Sequence, residues 1–168
     1  MTKGLNRSRA RAPNQRQIIT KLTIPITNLA LTVAGVTGIG FGSVPIRGLP
    51  EGNVLLLGAV SNIQVNTSDA GVIANWTGSF SIGTTANTDT ALAGTEVDII
   101  PATTITAATA KLSPVIRGAQ GSQSVVDNTN NNTNMNLNLL IDDASISSNA
   151  PVVVNGFLAI AYIVLGDD

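Results

Sequence analysis

Hydrophobic and polar residues alternate with a period of two along much of this chain. Leu22, Ile24 and Ile26 interleave with Lys21, Thr23 and Pro25, and Leu29, Leu31 and Val33 follow with polar or small residues between them. Ile63 and Val65 alternate with Asn62, Gln64 and Asn66, and Leu137, Leu139 and Ile141 with Asn136 and Asn138. The cleanest run sets Trp76, Gly78, Phe80 and Ile82 against Thr77, Ser79 and Ser81. A strand turns successive side chains to opposite faces, so each run predicts a strand with one buried and one wet face.

Two segments are apolar on both faces: Val54–Val60, and Val152–Leu165 apart from Asn155 and Gly156. Such runs suit central strands, or strands whose outer face meets another subunit. The second is long enough for a helix. However, Val152, Val153, Val154, Ile160, Ile163 and Val164 are β-branched and Gly156 interrupts the run, which favours a strand. Stretches rich in Gly, Asn, Ser or Pro at 36–42, 50–53, 66–71, 83–94, 118–133 and 144–151 predict turns. The Asn-rich stretch from Asn128 to Asn138 reads as a loop feeding a strand. Only residues 101–112 suit a short helix, and their threonines weaken it. Eight or so strands with no βαβ alternation predict an all-β fold, an antiparallel β-sandwich. At this length, with several long loops, a jelly roll is expected.

Charge divides the chain. Residues 1–21 hold Lys3, Arg7, Arg9, Arg11, Arg16 and Lys21 with no acid, a charge of +6. The remainder sets Arg47, Lys111 and Arg117 against ten acids, a charge of −7. This predicts a basic extended arm over residues 1–19 and one β-sandwich domain over residues 20–168. Extended, some 20 residues reach about 66–72 Å, far enough to cross to a neighbouring subunit. The cations suit carboxylates or phosphates. With no aromatic side chain in the arm to stack on bases, sequence-specific nucleic-acid recognition is not expected. Pro13, Asn14 and Gln15 discourage an amphipathic helix, so neither is a membrane partner. Only 11% of residues are charged, against about 25% in ordinary soluble domains. Asn and Thr fill 36 of the 168 positions instead, which fits a surface committed to contacts and does not fit a free enzyme.

The chain has no His and no Cys, which excludes Ser-His-Asp and Cys-His nucleophiles and His- or Cys-based zinc sites. Glu96 and Asp98, two apart on an expected strand, are the candidate acid/base pair. A sugar cleft would also need aromatic platforms, and one Trp, one Tyr and three Phe supply few. Asp142–Asp143 and Asp167–Asp168 lack the spaced ligands of a calcium loop and read as solvated acids. Gly35, Gly38, Gly40 and Gly42 lack the Gly-Lys-Ser/Thr of a phosphate loop, so they read as turn glycines. Thr20, Lys21, Thr23, Pro25 and Thr27 break up any secretory apolar core, so synthesis in a cytoplasm is expected. No catalytic residue, metal or cofactor is expected.

The tract Trp76-Thr-Gly-Ser-Phe-Ser-Ile-Gly-Thr-Thr-Ala-Asn-Thr-Asp89 and the ending Val154-Asn-Gly-Phe-Leu-Ala-Ile-Ala-Tyr-Ile-Val-Leu-Gly-Asp-Asp168 resemble small head proteins of tailed bacteriophages, the capsid decoration (cement) proteins among them. The resemblance follows the general layout of the whole chain. It implies a jelly-roll-like subunit, a homotrimer, bound outside the shell of a major capsid protein and stabilising the head. It also implies that the arm, Met1–Lys21, contacts the capsid. Two other roles fit the same residues: the principal coat protein of a small icosahedral virus with the arm facing nucleic acid, and a receptor-binding fibre or adhesin module.

Overall fold

The computed structural model of the protein describes residues 18–35, 39–67, 71–107, 111–116 and 125–166. They form nine strands: β1 (Thr20–Val33), β2 (Ile39–Gly48), β3 (Gly52–Asn66), β4 (Thr77–Gly83), β5 (Ile100–Thr106), β6 (Lys111–Ile116), β7 (Val125–Asn128), β8 (Asn134–Asp142) and β9 (Ala150–Val164). The helical elements among the described residues are single 3-10 turns at Gly94–Glu96 and Asp143–Ser145.

The pairing is nested. β1 pairs with β9, β2 with β8, β3 with β6 and β7, and β4 with β5, all antiparallel. Each pair encloses the next, as in one long hairpin. Rolling that hairpin up lays β9 beside β3 and β8 beside β4. Two sheets result: β1-β9-β3-β6, with β7 also on β3, and β2-β8-β4-β5. This is an antiparallel β-sandwich of jelly-roll type, as the alternation predicts. The two segments apolar on both faces become β3 and β9, the inner strands of the first sheet.

The core fills the space between the sheets. Ile24, Ile63, Val152 and Leu158 enter it from one side, and Phe80, Ile82, Leu137, Leu139 and Ile141 from the other, all buried. Trp76, which precedes β4, is buried with them. Each such side chain contributes about 1.5–3 kcal/mol over leaving it exposed, so these rows hold the sheets face to face. Gly156 does not end β9. It has φ 137°, beside a bulge in β1 where Asn28 has φ 49° and donates its N–H to Asn155 Oδ1 at 2.9 Å. A Cβ on Gly156 would run into the Asn62 carbonyl of β3, so only glycine fits there.

The structure corrects several expectations. The described residues of the span 101–112 form β5 and the start of β6 and no helix, because Ile105 is drawn into the core and Thr103 and Thr104 are β-branched. The expected turn at 36–42 gives way to β2 from Ile39, and that at 118–133 contains β7. Gly40 and Gly42 lie within β2. Their missing side chains let β2 pass close to Val33 and the Thr32 carbonyl of β1, across the corner where the sheets meet.

Candidate assembly surfaces

The outer faces of the two sheets differ. On the β4–β8 sheet the outward residues near the β4–β5 connection are polar, namely Ser43, Ser81, Asn136 and Asn138, while Phe41 and Leu140 occupy the next outward row. The expected wet face is not wet, since Asn138 and Ser81 are fully buried. The connection from β4 to β5, residues 84–98, folds back over this sheet and is pinned to it. Asn138 Nδ2 donates to the Thr85 and Glu96 carbonyls at 3.1 and 3.0 Å. Its Oδ1 accepts from the Ser43 hydroxyl at 2.6 Å and the Asn87 N–H at 2.9 Å. The Ser81 hydroxyl donates to the Glu96 carbonyl at 2.7 Å. One amide thus uses both donors and both acceptor sites of Oδ1, and the loop covers this part of the sheet.

The β3–β9 sheet has no such cover among the described residues. Its outward positions run in rows: Pro25, Phe157 and Asn62; Thr23, Ala159 and Val60; Lys21, Ala161 and Gly58. A further row joins Val125, Leu55 and Ile163. Small residues in the middle rows leave a shallow apolar depression of about 300 Å3. Among the described residues, five of the six large hydrophobic side chains that stay exposed belong to this sheet or lead into it: Ile18 and Ile19 before β1, Val125, Val153 and Val164. Only Ile73 lies elsewhere.

Of the predicted arm residues, Lys3, Arg7, Arg9, Arg11 and Arg16 lie outside the described residues. Lys21 is exposed inside β1, opposite Ala161, at the rim of the depression. The Glu96 and Asp98 pair is not on a strand. Glu96 closes the 3-10 turn and accepts the Ala93 N–H at 3.0 Å, while Asp98 accepts the Thr84 N–H and hydroxyl at 2.9 and 2.7 Å. Both carboxylates shape the covering loop, a role their spacing did not signal. Asp142 accepts the Ala144 N–H at 2.9 Å in a turn of its own. No group of three or more acidic residues able to hold a metal ion occurs among the described residues.

A second depression, about 540 Å3, lies between the covering loop and β7, with Asp98 and Asp127 on its walls. The Thr129 backbone N–H, and after it the Thr129 hydroxyl, hold the Asp127 carboxyl below its ordinary 3.8. Asn128, next to it, is buried and ties two turns together. Its Nδ2 donates to the Leu49 and Pro50 carbonyls, both at 2.9 Å, and its Oδ1 accepts the Asn132 and Thr133 N–H groups at 3.0 and 2.8 Å.

No family model and no curated protein matches the chain. Among solved structures, a chain of the cryo-EM structure of mud crab tombus-like virus is similar at TM-score 0.40 and 8% identity, over 91% of this chain and 94% of that one. Chains of infectious bursal disease virus, Gx and Gt strains, are similar at TM-score 0.36, with 12% and 15% identity over 88% and 96% of this chain. The chain spans 32% and 36% of those two chains' length.

Proposed function

We propose that the chain is a non-enzymatic structural subunit of a virus particle. The observation that carries this reading is a jelly roll with one sheet partly covered by its own loop and the other presenting a largely apolar face that has no cover among the described residues. Jelly rolls also serve as lectins and cupins. A cupin-type His metal centre is excluded by composition, and a lectin's aromatic platforms are scarce.

Two placements in the particle compete. In one, the chain decorates the outside of a phage head as a homotrimer, with Lys3, Arg7, Arg9, Arg11, Arg16 and Lys21 against acidic surface of the major capsid protein. In the other it is the principal coat protein, with the same cations facing packaged nucleic acid. The complete nested roll favours the coat reading, being the whole fold a shell-forming subunit needs. The cation count favours decoration, since six are few for neutralising a genome. Electron microscopy of the purified protein separates the two. Closed shells formed by this chain alone support the coat reading, and particles bound only when preformed heads are added support decoration. Absence of the chain from purified virions by mass spectrometry would overturn both.

A further inference from the structure

We infer that the outer face of the β3–β9 sheet docks a second copy of this chain, face to face about a two-fold axis. The inference rests on the structural role proposed above and names the partner of one surface. The face has relief suited to itself. Phe157 and Pro25 form a ridge across β9 and β1, and Ala159, Ala161 and Gly58 form the groove beside it. An isologous contact requires that where residue i of one copy meets j of the other, j also meets i. A two-fold axis lying in the plane of contact and crossing the strands between the Phe157 and Ala159 rows satisfies this. It lays the ridge of each copy in the groove of the other.

Chemistry selects this occupant over the chain's own N-terminal residues. Residues 1–17 carry five cations and no acid, with Leu5 and Met1 their only large apolar side chains. The groove offers no carboxylate. A second copy brings the same rows, uncharged apart from Lys21, which stays at the rim where its ammonium remains wet. Area sets the strength. Each outward residue covers about 4.8 × 6.8 Å, so roughly 16 outward positions give on the order of 500 Å2 per copy and 1,000 Å2 for the pair. That sits at the low end for a specific contact, so association on the order of micromolar is expected, additive with other contacts in a closed assembly.

The test is sedimentation velocity of the full-length protein from about 1 to 200 µM, with Phe157→Asp, Ala159→Arg and, on the other sheet, Thr104→Arg. Wild type and Thr104→Arg are expected to leave the 17.2 kDa monomer mass as concentration rises, while the two face variants stay monomeric. Circular dichroism and melting identify any variant that fails to fold. Because the chain has no cysteine, Ala159→Cys, a near-isosteric change, supplies a second readout. A short bis-maleimide should join two copies through this position and not through Thr104→Cys. Monomeric wild type across the range, or face variants that associate as wild type does, overturns the inference. Association lost on deleting residues 2–17 with the face intact also overturns it, assigning the contact to the arm. A chain present in virions yet monomeric in solution sinks this contact alone, whereas a chain absent from virions sinks the proposed role.

Discussion

Asn138 is the residue on which the covering of the β4–β8 sheet turns, and its replacement gives a sharp test. In Asn138→Ala four hydrogen bonds are lost. Two of the stranded partners have alternatives: the Glu96 carbonyl keeps Ser81, and the half-buried Ser43 hydroxyl can rotate. The Asn87 N–H and the Thr85 carbonyl lose the Asn138 bonds outright. The buried Asn87 N–H left unpaired costs about 1–3 kcal/mol, and the Thr85 carbonyl, on an exposed residue, adds less, so about 1–4 kcal/mol is expected, capped by the free energy at which the loop lifts away into water. The loop starts from a weak position, because Asn87 is already buried with its Nδ2 unpartnered. Urea denaturation gives the total, and hydrogen exchange at the Asn87 amide reports local opening. Asn138→Asp adds a pH signature. Its second oxygen would face the Thr85 and Glu96 carbonyls, which disfavours the charged form and raises the folded-state pKa above the unfolded value. Stability of this variant is then greatest below the unfolded pKa and falls as pH rises through the folded one. A loss under about 1 kcal/mol in Asn138→Ala, with Asn87 exchange unchanged, would refute the claim that this amide holds the loop.

Other expectations follow from single positions. Gly156→Ala combines a φ of 137° with a clash at the Asn62 carbonyl, and should cost about 3 kcal/mol or more or abolish soluble expression. Phe80→Ala opens the centre of the core and should cost about 3–5 kcal/mol in denaturant titration, whereas exposed Thr104→Ala should stay within about 0.5 kcal/mol. Asp127 should titrate below 3.8 by NMR, and Thr129→Val, which removes one of its two donors, should move the midpoint upward. Because the folded pKa is depressed, the stability Asp127 contributes is present above the unfolded pKa and lost as pH falls through the folded one.

The fold was legible where one face is apolar and the other is not. β1, β4 and β8 carry a period of two that survives folding, and β3 and β9 carry runs apolar on both faces that suit inner strands of a sheet. The strands that were missed share a different property. β2, β5, β6 and β7 lie at sheet margins, and Gly, Pro, Thr or Asn within them point locally to turns or, over 101–112, to a short helix. They become strands because a neighbour with a clear strand pattern supplies their hydrogen bonds: β8 for β2, β4 for β5 and β3 for β6 and β7. That is tertiary context overriding propensity, and nothing within those short windows announces it.

The surfaces were legible in part, and the reason lies in what polar residues are for. Low charge and abundant Asn suggest a surface committed to contacts, but several of the asparagines hydrogen-bond the protein's own loops and turns. Asn138 holds the covering loop, Asn128 joins two turns, and Asn155 and Asn149 accept the Asn28 and Gly35 N–H groups. Alternation cannot distinguish an outward asparagine that meets water from one that meets a folded-back loop, since both occupy the same parity. The β3–β9 face is where the contact argument holds. Its outward rows on β1, β9 and β3 carry none of the chain's ten acids, although an acid there would cost a solvated monomer nothing and would improve its solubility. A sheet that leaves Phe157, Ala159, Val60 and Leu55 half-exposed is expected to be covered in use, and the only described cover in this fold is already pinned to the opposite side.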